Sequence, residues 1–320
     1  MNGTVPAPSP WLPTAPCTPG RRCAAHPDPS PAGRAAFRPA PAALACARLA
    51  AGLATVLLGV VLLPVVGPLP AAARYALVRL WTRAVVRAFG VRLTVTGALP
   101  PGTGRSALVV ANHVSWLDIP VVAAVLPGRM IAKREVRGWP LLGPLAALGG
   151  TLFIDRDGLR RLPGTVREVA GALAGGGRVT AFPEGSTWCG RHGGRFRPAL
   201  FQAAVDTGSD IQPVRIGYRP EGAAAYVGED PLGASLWRVA RTPGLSVEIR
   251  ILDPISAIQY PDRRLLAAAA QRAVLPVSYR AVLPAAYRAV ASDSAKRPSA
   301  SVHQRVSSNP ASASSARTPS

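Results

Sequence analysis

The chain has 320 residues, 48% of them hydrophobic, enough for one large or two small domains with a real core. Its 34 prolines are too many for one compact body and gather near the two ends among Ser and Ala. A net charge of +21 points to an anionic partner, and four scattered cysteines without a CxxC pair exclude a disulfide scaffold and favour a reducing compartment.

Residues 1–41 carry Pro, Ala and scattered Arg without apolar periodicity, and read as a flexible leader too long and polar for a plain signal peptide. Cys17, Cys23 and His26 lie in this Pro-rich stretch with no fourth ligand nearby in sequence. No metal site is therefore expected there.

Residues 42–90 are expected to bind the membrane. From Leu49 to Val66 the chain is uncharged and almost wholly apolar, long enough to reach across most of a bilayer core. Pro64, Pro68 and Pro70 make a re-entrant hairpin as good a reading as a span, and a buried core helix is the competing one. Next, Arg79, Arg83 and Arg87 repeat every four residues beside a stripe of Leu77, Trp81, Val85 and Phe89. That is an amphipathic basic helix, which suits a headgroup layer or, alternatively, a solvated face over a core face. Arginines flank the apolar run on both sides (Arg34, Arg38 and Arg48 before it), a pattern compatible with a hairpin returning to the cytoplasmic side of the cell membrane.

From Val91 the pattern becomes alternating short apolar strands and helices. Strands are predicted at 91–96, 107–111, 129–132, 151–154, 179–182, 211–216 and 247–252. This alternation gives an α/β domain over 91–270, with functional residues at strand ends. Beyond it, 271–320 form a repetitive, low-complexity tail in which Arg272 to Tyr279 is echoed by Arg280 to Tyr287.

Asn112-His113 follows the second strand, with Asp118 five residues after the histidine in what reads as a first helical turn. An imidazole there takes a proton from an attacking hydroxyl if a carboxylate fixes its other ring N–H. The plainer alternative is that Asp118 caps the helix and His113 packs. A second polar turn, Phe182-Pro183-Glu184-Gly185, also follows a strand. There Glu184 is placed to bond substrate hydroxyls and Gly185 to let the backbone approach.

Four blocks, Asn112-His113 through Asp118, Phe153-Ile154-Asp155-Arg156, Phe182-Pro183-Glu184-Gly185 and Gln212-Pro213-Val214, stand in the order seen in the lysophospholipid acyltransferase family, which this chain resembles from about Val91 to Tyr218. The resemblance implies a mixed central sheet flanked by helices. It further implies transfer of a fatty acyl group from acyl-CoA or acyl-carrier protein to a lysolipid hydroxyl, foremost 1-acyl-sn-glycerol 3-phosphate giving phosphatidic acid. His113 would be the base and Asp118 its support, with Asn112 among the substrate contacts and no metal or bound organic cofactor. It implies that Arg156 holds the acceptor phosphate, a task a planar guanidinium suits; an ion pair with Asp155 or Asp157 is the alternative. Lys133 and Lys296 are the only lysines in an arginine-rich chain, and the family pattern favours a substrate contact for Lys133.

Where the family often has Thr-Arg after Glu-Gly, this chain has Ser186-Thr187. Arg191, Arg195 or Arg197 would have to supply that charge, and a lysolipid such as lyso-ornithine lipid becomes the alternative acceptor. A non-catalytic lipid-binding protein is the reading from another class. Nucleic acid is set aside as a partner, because the arginines lack aromatic interleaving and no recognised module appears.

Overall fold

A computed structural model describes residues 14–27, 38–99, 106–140, 142–155, 158–260 and 262–275. The chain enters through two helices, α1 (Ala42–Val66) and α2 (Ala71–Ala88). Both begin directly after a proline, and the turn between them holds Gly67, Pro68 and Pro70. They run antiparallel. Gly59 lies against the Trp81 ring and Gly52 against the Phe89 ring, so partners separate from the turn in step. Trp81 Nε1 donates to the Thr55 carbonyl at 2.8 Å across the pair.

Helix α1 is the one helix among the described residues long and apolar enough to cross a membrane, with mean hydropathy 2.6 over its best window and only 6% of that window buried. Leu53, Leu58, Val61 and Val65 face outward. The apolar stripe predicted on α2 divides. Val85 and Phe89 are buried in the body of the protein and Trp81 is partly buried, whereas Leu77 stays exposed. Arg83 does not simply face outward, since its Nε donates to the Ala124 carbonyl at 3.1 Å. The core-facing reading therefore holds for the C-terminal end of this helix.

The body is a seven-stranded sheet in the order β1-β7-β6-β2-β5-β3-β4. Its strands are β1 (Arg92–Thr96), β2 (Ala107–Ala111), β3 (Arg129–Lys133), β4 (Leu152–Ile154), β5 (Arg178–Ala181), β6 (Asp210–Arg219) and β7 (Ser246–Ile251). All seven predicted strands are present. Neighbours are parallel except β6 and β7, which makes the sheet mixed as expected. Among the described residues, helices α3 (Asp118–Ala123), α4 (Leu142–Leu148), α5 (Leu162–Ala174), α6 (Phe201–Thr207), α7 (Leu232–Arg241) and α8 (Arg263–Val274) follow in chain order.

Strand β2 is buried along its whole length, as a central parallel strand must be, and its period of two sorts the core. Val109 and Ala111 pack with α2, α3 and α7, while Leu108 and Val110 pack with α5, α6 and α8. Two boundaries differ from the sequence reading by more than one residue. Strand β6 continues to Arg219 rather than stopping at Ile216, because Gly217 and Tyr218 keep pairing with Glu248 and Val247 of β7. The last helix runs past residue 270 to Val274, whose carbonyl accepts from Arg215 Nε at 2.6 Å, with Leu275 buried behind it. The repeat is described only as far as Leu275. Within the leader, residues 14–27 pack on the body, with Cys17 and Cys23 buried against Cys189 and Val227.

The hairpin meets the body through aromatics. Phe89 lies edge-on to Trp116 with ring centroids 5.1 Å apart, and Trp116 Nε1 donates to Ser235 Oγ at 3.2 Å. A Cβ at position 52 would stand 2.5 Å from Phe89 Cζ, so the glycine is what admits that ring. Gly52→Ala is expected to destabilise by about 1–3 kcal/mol through overpacking, read as a lowered unfolding midpoint of the detergent-solubilised protein.

Candidate active site

The C-terminal ends of β2, β5, β3 and β4 point the same way, because these strands are mutually parallel. His113, Glu184, Lys133 and Asp155 therefore lie along one edge of the sheet, the edge at which open α/β sheets bind their ligands.

His113 Nδ1 lies 2.8 Å from Asp118 Oδ2. The same carboxylate oxygen accepts from the backbone N–H of Val114 at 2.6 Å and of Ser115 at 2.9 Å. Its other oxygen accepts from the Tyr218 hydroxyl at 2.7 Å. Asp118 is completely buried, and His113 keeps 17% of its side chain exposed. With only acceptor oxygens opposite, Nδ1 carries the hydrogen and Nε2 keeps its lone pair. The Phe182 ring stacks on the imidazole at 4.1 Å and 16°, fixing its plane. The carboxylate does not cap the helix it opens, as the plainer sequence alternative had it; it closes the turn before that helix by accepting from Val114 and Ser115 while it faces the imidazole.

Neither Tyr218 nor Phe182 was singled out as a dyad partner from sequence. Tyr218 stands 100 residues from Asp118, and only the pairing of β6 beside β2 brings it there. Its buried phenol is held protonated, first by burial and then by the Asp118 charge. Asn112, expected to contact substrate, is occupied otherwise: its amide donates to the Ile216 carbonyl at 2.9 Å and accepts from the Ile216 N–H at 2.8 Å. It clamps β2 to β6.

Glu184 is buried behind the dyad. Its Oε2 lies 3.4 Å from the His113 N–H, and the Gly194 N–H also faces the carboxylate. Oε1 has no hydrogen-bond partner among the described residues. Burial pushes this carboxyl well above the usual carboxylate range, with the nearby Asp118 charge adding to the shift and the two N–H groups opposing it. A neutral carboxyl there has a proton to donate. Gly193 leaves the room, since a Cβ on it would stand 2.8 Å from Oε1. Gly185, at φ +74°, closes the turn by donating to the Phe182 carbonyl at 3.1 Å.

Arg156 lies outside the described residues. Beside it, Asp155 pairs with Arg161 at 2.8 Å and Arg134 at 3.5 Å. Lys133 ends β3, with Nζ 5.5 Å from the centroid of the Trp139 ring. Of the arginines proposed to replace the family's charge, Arg191 turns away, its Nη2 donating to the Arg21 carbonyl at 2.6 Å, while Arg195 and Arg197 are exposed. Thr187 is also engaged, its hydroxyl donating to the Tyr226 carbonyl.

An imidazole whose Nδ1 faces a buried carboxylate can take a proton from a hydroxyl at its other nitrogen. The family comparisons agree. Residues 92–217 match the model of the Acyltransferase family. A lyso-ornithine lipid O-acyltransferase from Pseudomonas aeruginosa is 40% identical over 206 residues, covering 63% of this chain and 78% of that one. A 1-acyl-sn-glycerol-3-phosphate acyltransferase from Neisseria meningitidis is 34% identical over 199 residues, covering 61% and 78%. The crystal structure of the 1-acyl-sn-glycerophosphate acyltransferase PlsC from Thermotoga maritima shares the fold, with TM-score 0.53 at 20% identity over 78% of this chain and 99% of that one. The chain belongs to the acyltransferase family and is an O-acyltransferase.

Two outcomes test the site. Tyr218→Phe leaves a buried carboxylate oxygen short of its donor; it is expected to cost about 1–3 kcal/mol of stability and to lower kcat with little change in KM. Glu184 binds its proton more tightly folded than unfolded. Its contribution to stability is therefore intact below the unfolded glutamate value of about 4.3 and is lost as pH rises toward the folded one. Glu184→Gln, which mimics the neutral carboxyl, is expected to flatten the fall of unfolding free energy with pH across that window in urea titrations.

Proposed function

We propose that this enzyme takes a fatty acyl group from the thioester of acyl-CoA or acyl-carrier protein and places it on the free hydroxyl of a membrane lysolipid. The observation that carries the reading is the His113–Asp118 pair, with Nε2 free on the exposed side of the ring. In the proposed cycle Nε2 removes the acceptor hydroxyl's proton as its oxygen attacks the thioester carbonyl. Asp118 holds the resulting imidazolium. The tetrahedral adduct then collapses, the C–S bond breaks, and the imidazolium returns the proton to the departing thiolate. The products are an ester and a free thiol, and the cycle calls for no metal or organic cofactor.

The foremost acceptor is 1-acyl-sn-glycerol 3-phosphate, the substrate that the name of the Neisseria meningitidis relative gives for that enzyme. Arg156 and Lys133 would hold its phosphate at the β3 and β4 ends. One observation favours lyso-ornithine lipid instead: Thr187 spends its hydroxyl on the Tyr226 carbonyl, where the family often has an arginine. The relative named for that lipid is 40% identical. Membrane phospholipids would surround α1, and the catalytic body would face the cytoplasm, where the thioester donors are made.

His113→Ala is expected to slow transfer of labelled acyl chains by at least about 10²-fold while liposome binding persists; full activity in that variant would overturn the mechanism. Purified wild-type protein offered both acceptors with both donor types should prefer 1-acylglycerol 3-phosphate. A preference for lyso-ornithine lipid would transfer the assignment to the second acceptor.

A further inference from the structure

The sequence reading dismissed Cys17, Cys23 and His26 as metal ligands for want of a fourth. The fold supplies it. Cys189, 163 residues beyond His26, brings its Sγ to 3.5 Å from His26 Nδ1. Cys17 Sγ lies 3.5 Å and Cys23 Sγ 3.9 Å from the same nitrogen. All four ligand atoms fall within 4.8 Å of one another. We propose that Cys17, Cys23, His26 and Cys189 form a structural zinc site.

The geometry matches that ion. With Zn–S of about 2.3 Å and Zn–N of about 2.0 Å, tetrahedral sulfur–nitrogen edges are about 3.5 Å and sulfur–sulfur edges about 3.8 Å. The three sulfur–nitrogen separations already lie at or near that value, and a contraction of under about 1 Å closes the widest edge. Three sulfurs and one imidazole suit Zn²⁺ over hard cations such as Mg²⁺ or Ca²⁺, which take oxygen. Four protein ligands leave no open position, which marks a structural rather than a catalytic ion.

The surroundings are built as second shells of zinc sites are. Gly190, at φ +84°, turns the chain after Cys189 so that the N–H groups of Arg191 and His192 face its sulfur. The Cys189 N–H in turn donates to Cys17 Sγ at 3.4 Å. Cys17, Cys23 and Cys189 are all free thiols and all buried. The His192 ring stacks on His26 at 4.2 Å, holding the imidazole in place. Three thiolates and Zn²⁺ sum to a single negative charge, and Arg191, buried two residues after Cys189, supplies a positive one.

What such an ion would do follows from where Cys189 sits. It lies five residues after Glu184, in a loop whose Trp188 N–H donates to the His113 carbonyl at 2.8 Å. Zinc would staple residues 17–26 to the loop that closes the catalytic edge. It would stand outside the transfer chemistry and hold the wall of the site.

The full-length protein, purified in detergent under reducing conditions, incubated with Zn²⁺ and desalted, is expected to retain one zinc per chain by mass spectrometry of the metal. Replacing it with Co²⁺ should give the visible ligand-field bands of a tetrahedral, thiolate-rich site. Cys17→Ser and Cys189→Ser should each lose most of the metal, whereas Cys46→Ser, at an exposed position on α1, should keep it. Because the serine variants risk misfolding, the wild-type measurements decide. Less than about half an equivalent of zinc, a Co²⁺ spectrum without thiolate bands, or an intact Cys17–Cys189 disulfide in metal-free protein would overturn the proposal. So would full zinc retention by both serine variants.

Discussion

The turn that follows β2 is built around one buried carboxylate. Carrying Asp118 to zero exposure would cost several kcal/mol if the charge were left alone. Four donors meet it instead: the His113 ring, two backbone N–H groups and the Tyr218 hydroxyl. Three of these are local to the turn that Asp118 closes. The fourth arrives only because β6 lies beside β2, a pairing that Asn112 reinforces by bonding both ways to Ile216. The His113 ring is therefore oriented by a carboxylate that the sheet itself helps to hold.

The second constraint is the continuity of packing from the apolar hairpin to that turn. Gly52 admits Phe89, Phe89 meets Trp116 edge-on, and Trp116 lies two residues before Asp118. Val85 and Phe89 share one apolar cluster with Val114 and Leu117 of the catalytic turn. The turn is consequently packed against the helix pair as well as against the sheet.

The strands were legible because each is short, apolar and bounded by turn residues, and the dyad because its two members are five residues apart. What could not be read depended on distance along the chain. Tyr218 looks like an ordinary strand residue until β6 is known to extend past Gly217 and to lie beside β2. Asn112 belongs to a motif that suggests substrate, yet its amide is consumed by Ile216, a partner 104 residues away. The grouping of the cysteines escaped for the same reason, since Cys17, Cys23 and His26 stand in a proline-rich leader and Cys189 lies 163 residues beyond His26. Arg83 failed differently: helical periodicity gives the face of a side chain but not the carbonyl of Ala124 waiting there.

Both ends of the hairpin are tied to the catalytic body. Arg48 donates to the Ala240 carbonyl at 2.8 Å from the start of α1, and Arg83 reaches Ala124 near the end of α2. Seated in lipid as proposed, such a hairpin holds His113 at a constant height over the bilayer. The enzyme then samples a two-dimensional solution. Its effective substrate concentration is the mole fraction of lysolipid in its own patch of membrane: mixing inert lipid into the bilayer would slow it, whereas diluting the same vesicles in buffer would not.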